Sequence, residues 1–167
     1  YTGSFPANRG RALSSVMDIT LKDGNPDKQA FKATIGASEV GVSASGHIGR
    51  KTTYIASVRQ SYLQLLFKLL GLPMLPNYID GQVKFKTKID SANELVFIGL
   101  AGFDNMKLSD DPDDAADRYL LSYLPTLRQE TFTVGTSYRH FGDGHVQTVS
   151  LGYSYLNNRS LKYLDND

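Results

Sequence analysis

Between Gly81 and Asp90 the chain alternates without a break. Gln82, Lys84, Lys86 and Lys88 fall on one parity, with Asp80 just ahead of them, and Val83, Phe85, Thr87 and Ile89 fall on the other. A period of two belongs to a β-strand, because successive side chains leave opposite faces of the pleat. One face of this strand wants an apolar neighbour and the other wants water.

The same period recurs along most of the chain. Phe31, Ala33 and Ile35 alternate with Lys32, Thr34 and Gly36; Val40, Val42, Ala44 and Ile48 alternate with Gly41, Ser43, Ser45 and His47. Tyr54, Ala56 and Val58 oppose Ser57, Arg59 and Ser61. Later, Phe132, Val134 and Tyr138 oppose Thr131, Thr133, Ser137 and Arg139, and Val149, Leu151, Tyr153 and Tyr155 oppose Thr148, Ser150, Gly152 and Ser154. Residues 94–103 are apolar on both parities. Ahead of all these, Asp18, Thr20 and Lys22 set against Met17, Ile19 and Leu21 read as a strand that ends at the turn-forming Asp23-Gly24-Asn25-Pro26. Helices are expected over 62–70 and 113–124. The second starts at Asp111-Pro112, with Asp113 and Asp114 favoured in a first turn. Beyond the first unit this gives about seven strands.

The pattern therefore predicts an all-β, antiparallel up-and-down meander with short loop helices. Alternation fits two such architectures. A soluble sandwich or small barrel turns its polar side outward; a wide membrane barrel turns its apolar side outward and keeps a polar lumen. Ser, Thr and Gly recur on one side of nearly every strand, which suits a lumen. Connections at 49–51, 89–94 and 141–144 are short, whereas 61–77 and 104–128 are long, apart from a tight first hairpin near 38–41. Short turns at one end and long loops at the other are the asymmetry of outer-membrane barrels. Tyr54, Tyr78, Tyr138, Tyr153 and Tyr155 near strand ends suit an interfacial aromatic girdle, although tyrosine is also a good strand former in any sheet.

Composition narrows the classes. The 167 residues are 41% hydrophobic and 21% charged, enough apolar material for an ordered domain. A net charge of +1 without a concentrated basic surface argues against nucleic acid. The absence of cysteine excludes disulfides and thiolate metal sites. The longest apolar stretch, 62–75, is shorter than the roughly 20 residues of a spanning helix and carries Lys68. The opening Tyr1-Thr2-Gly3-Ser4 has no initiator Met and no basic-then-apolar leader, so a piece of a longer chain is expected.

Residues 5–25, FPANRGRALSSVMDITLKDGN, resemble the end of the plug domain of TonB-dependent outer-membrane receptors. There a Pro-containing turn and a Gly-Arg segment precede a Ser-Ser-Val strand that ends in Lys-Asp/Glu-Gly-Asn and leads into the barrel. Residues 58–71, VRQSYLQLLFKLLG, resemble the third barrel strand and following outer loop of one branch of the family. The resemblance covers residues 5–103; beyond them only the alternation speaks. It implies a plugged barrel of about 22 strands, of which this chain would supply the first ones. Residues 1–27 would be the end of the plug and its connection, and 28–167 the N-terminal part of a large transmembrane β-barrel. It implies nutrient import across the bacterial outer membrane, not catalysis, and no cofactor. Its partners would be outer-membrane lipid, a siderophore, vitamin or glycan ligand, and the TonB complex, reached through a segment outside this chain. Asp80, Gln82, Lys84, Lys86, Lys88, Arg59 and Arg139 would then face the lumen, where plug carboxylates could pair with the lysines. Val83, Phe85, Ile89, Val149, Leu151 and Tyr153 would face lipid.

Candidate chemistry is sparse. His140 and His145 flank a tight turn, and two turn-flanking polar residues explain them better than a metal site; His47 stands apart from both. Asp110, Asp111, Asp113 and Asp114 offer hard oxygens for Ca²⁺, a weaker reading than the helix start above. No nucleophile elbow, phosphate loop or dinucleotide fingerprint occurs. The Asn158-Arg159-Ser160 triplet matches a glycosylation acceptor, which the bacterial resemblance discounts.

Overall fold

A computed structural model describes residues 19–109 and 115–162. In chain order the elements are β1 (Ala30–Ile35), β2 (Glu39–Ile48), β3 (Thr52–Ser61), α1 (Leu63–Leu69), β4 (Met74–Lys88), β5 (Asn93–Leu108), α2 (Ala115–Tyr123), β6 (Thr126–Gly142) and β7 (His145–Leu161). The seven strands make one antiparallel sheet in the order β1-β2-β3-β4-β5-β6-β7. The expected all-β up-and-down meander is what forms. Among the described residues the sheet neither closes on itself nor folds into a second layer, and β1 and β7 are open edges. No described helix is long and apolar enough to cross a membrane.

Turn chemistry sets the hairpins. Asp143-Gly144 joins β6 to β7, and Gly144 takes the left-handed φ of 74° that such a two-residue turn requires. At the β4–β5 turn Asp90 Oδ1 accepts from the Ala92 backbone N–H and from Asn93 Nδ2, each at 2.8 Å. The first hairpin turns at residues 36–38, where the Gly36 N–H donates to Glu39 O, and not at 38–41 as expected. Both helices lie in connections at one end of the sheet, as the loop lengths predicted, while the turns at 49–51, 89–92 and 143–144 lie at the other.

Strand ends run past the alternating stretches. β4 has 15 residues and includes Pro76. Pro76 pairs with Met106 of β5, but the β3 ladder stops at Gln60↔Ile79, so the missing N–H falls where β4 has a neighbour on one side only.

Residues 19–25 form no strand, contrary to the expectation. They lie as a strap across one face of the sheet. The turn that follows them is as predicted: Asn25 Oδ1 accepts from the backbone N–H groups of Asp27 and Lys28 at 2.8 and 3.1 Å. The Ser-Ser-Val segment lies outside the described residues.

Candidate functional site: the two faces of the sheet

Register fixes which side chains share a face. On β4, Asp80, Gln82, Lys84, Lys86 and Lys88 stand together, and the ladder aligns Arg59 with Asp80 and Arg139 with Glu94. All seven residues expected to share the polar side do so. Val83 and Phe85 occupy the opposite face, level with Val149, Leu151 and Tyr153 on β7 through β5 and β6. Ile89 does not belong to that set. It lies one residue past β4, in the turn, with its N–H on Asn93 O and its carbonyl accepting from Lys51 Nζ at 2.7 Å. Its parity continued the pattern, but the chain had already left the sheet. Tyr78 stands on the polar face, not in a girdle, with its hydroxyl donating to Glu39 Oε2 at 2.6 Å. The four aspartates Asp110, Asp111, Asp113 and Asp114 lie outside the described residues.

Among the described residues the apolar face is a band that no second layer covers. Phe31, Ile35, Val42, Val149 and Leu151 are all more than 60% exposed, and Val96 and Leu121 are the only buried hydrophobic residues among those described. On β5 the band runs from Leu95 to Phe103, about 27 Å of strand. Towards the loop end it stops at a polar rim: Gln60 Nε2 donates to Asn77 Oδ1 at 2.7 Å, and Arg128 meets Glu130 at 2.7 Å. Just inside that rim the rings of Phe132 and Tyr155 stack with centroids 5.2 Å apart.

The polar face carries an ionic network centred on the strap. Lys84 Nζ lies 2.7 Å from Asp23 Oδ1 and donates to Leu21 O at 2.7 Å. Lys86 Nζ bridges Asp23 Oδ2 at 2.8 Å and Glu94 Oε2 at 3.1 Å, and Arg139 approaches Glu94 Oε1 at 3.5 Å. Lys88 is exposed, with no carboxylate within ion-pair range among the described residues. Near the loop end Arg59 binds Asp80 at 3.0 Å and Glu39 at 3.7 Å. Asp23 belongs to the segment that was expected to supply carboxylates to these lysines. Glu94 was missed, although its place opposite Lys88 and Arg139 follows once the β4–β5 turn is fixed.

Beside the charges the strap borders an apolar patch of β5. Ile19 and Leu21 line a cavity of about 680 Å³ together with Val96, Ile98 and Leu100 of β5. The apolar residues of β5 thus have different surroundings on its two faces: Val96, Ile98 and Leu100 border the cavity beside the strap, and the other parity belongs to the apolar band. Gly24 is buried against the backbone of β2 and β3, where a Cβ would meet Tyr54 O at 2.2 Å and Gly46 O at 2.6 Å. Only glycine permits that approach. Past the turn, Gln29 fixes the strap's exit, accepting from the Tyr54 hydroxyl at 2.7 Å and donating to His47 O at 2.6 Å.

Partial burial pushes the Asp23 carboxyl upward, but the hydrogen bonds and charges of Lys84 and Lys86 together outweigh it and hold the group below its ordinary value of 3.8. A lowered folded value means that the contribution to docking is complete above the ordinary value and lost as pH falls through the lowered one. Strap protection, followed by amide hydrogen exchange over residues 19–27, should therefore be flat from about pH 7 to 5 and fall below about pH 4. Asp23→Asn should remove that step.

His140 and His145 come within 6.4 Å, ring to ring, but His140 Nδ1 is engaged with Asn93 Oδ1 at 2.9 Å and His145 Nδ1 with Asp143 O at 3.2 Å. No group of three or more metal-ligating side chains gathers among the described residues. Comparison with known proteins finds no matching family model, no matching curated protein and no matching solved structure.

Proposed function

We propose that this chain is the plug-to-barrel junction and first seven strands of a TonB-dependent transporter of the bacterial outer membrane. The observation that carries the reading is the two-faced single sheet. Its unpartnered apolar band is nine residues deep on β5, matching the roughly 9–11 residues of a tilted membrane strand. Its other face is polar, charged and crossed by a strap bearing the expected carboxylate. Short turns would face the periplasm and the helix-bearing loops the exterior. The resemblance of residues 5–25 and 58–71 to that family supports the reading. In this reading Val83, Phe85, Val149, Leu151 and Tyr153 meet lipid, and Lys84, Lys86, Lys88, Arg59 and Arg139 face the lumen. The chain catalyses nothing. A siderophore, vitamin or glycan is the cargo, and TonB supplies the work through a segment that precedes residue 1 in the whole receptor.

An open sheet with exposed apolar residues and two free edges invites association. The isolated chain should therefore need detergent, or the rest of the barrel, to stay dispersed. Light scattering in buffer with and without detergent checks this. A stable detergent-free monomer would favour a soluble ligand-binding β-domain instead.

A further inference from the structure

We propose that the turn end of the polar face holds a binding site for a phosphate-bearing anion. A cavity of about 230 Å³ opens there between the strap and the β2–β3 turn. It is lined by His47, Arg50, Lys51, Lys86 and Lys88, against the single carboxylate of Asp23. Four permanent cations around one acid leave a concave surface of net positive charge, which concentrates counter-ions.

The partners of these cations show which are available. Lys86 is held by Asp23 and Glu94, and Lys51 donates to Ile89 O. Arg50 and Lys88 have no carboxylate in range among the described residues, and both are exposed. His47 uses Nδ1 on Gly49 O at 2.9 Å, which leaves Nε2 for a ligand. A guanidinium fork and an ammonium lining one small cavity suit a tetrahedral oxyanion, which accepts several charge-assisted hydrogen bonds at once. The volume holds one such anion with a few waters, each water occupying about 30 Å³. The site rests on the described side chains and stands whether or not the apolar face meets lipid.

The test is titration of the full chain, in detergent micelles and at constant ionic strength, with inorganic phosphate. Binding is followed through the ring signals of His47 and the amides of residues 47–53. Saturable shifts confined to these residues are expected. Arg50→Gln with Lys88→Gln should weaken binding at least about tenfold, as loss of two charge-assisted contacts implies. Both side chains are exposed, so the fold should tolerate the change. Arg128→Gln with Arg159→Gln, on the opposite face, should leave the affinity unchanged. A short-chain phosphatidic acid run in parallel identifies the source: tighter binding of it assigns a lipid headgroup, tighter binding of phosphate a soluble anion. Non-saturable shifts, or equal losses in both double variants, would overturn the proposal.

Discussion

In the proposed transporter, Val83→Lys should sharply reduce the amount of assembled membrane protein. Val83 sits in the middle row of the apolar band, level with Ala56 on one side and Gly99, Val134 and Tyr153 on the other. None of the flanking Ala56, Gly99 and Val134 side chains offers an ammonium group a partner. A lysine on the lipid face at mid-depth costs about 2–4 kcal/mol, falling to about 0–1 near the interfaces. Phe85→Lys, one row nearer the turns, should therefore cost less than Val83→Lys, and a lysine at Thr87 less again. Such a graded series is the mark of a bilayer. In a packed protein core all three would be severe, because each would bury an unpaired charge. Yield of protease-resistant protein in the outer-membrane fraction measures the series.

The second large effect should come from Gly24→Ala. Its Cβ would stand 2.2 and 2.5 Å from the backbone O and N of Tyr54, atoms held in the β2–β3 ladder. The strap must lift, and lifting stretches the 2.7 Å bonds from Lys84 to Leu21 O and Asp23. Overpacking of this kind costs about 1–3 kcal/mol. The Asp23 ion pairs contribute little alone, because that carboxylate is 44% exposed and screened. Lys84, 11% exposed beneath the strap, returns to water when the strap lifts, so its pairing adds little to that cost either. Limited proteolysis should cut Gly24→Ala within 19–28 much faster than the parent chain, with β2 to β7 still protected. Equal cutting rates would show that the strap does not rest where Gly24 places it.

Much of this was legible in the sequence, because a period of two reports which side chains share a face. Every residue that the alternation assigned to one face within a strand lies on that face, whereas Tyr78, placed in the girdle by its position near a strand end, lies on the polar one. The alternation also shows where parity fails. Ile19 and Leu21 alternate with Thr20 and Lys22 as a strand would, yet residues 19–22 pair with no strand, and Ile19, Thr20 and Leu21 alike border the cavity over β5. Period cannot tell pairing from resting. Ile89 kept the parity of β4 into a turn, since nothing in a single residue marks the last ladder bond. The charged network was half visible. Its lysines and arginines announce themselves, whereas Glu94 and Asp23 join them only through a hairpin register and a contact 61 residues apart in sequence, from Asp23 to Lys84.

The central claim is that the two faces of one strand meet different solvents. Lys84 is a poor reporter of the polar side, because the strap covers it. Gln82, exposed on the same face, is a better one. Single cysteines at 82 and 85, in the otherwise cysteine-free chain of the membrane-assembled protein, should separate cleanly. Residue 82 should react with a water-soluble maleimide, and residue 85 with a probe carried in the lipid phase and not with the soluble one. Shielding of residue 85 from both reagents, as in a packed protein core, would contradict the account.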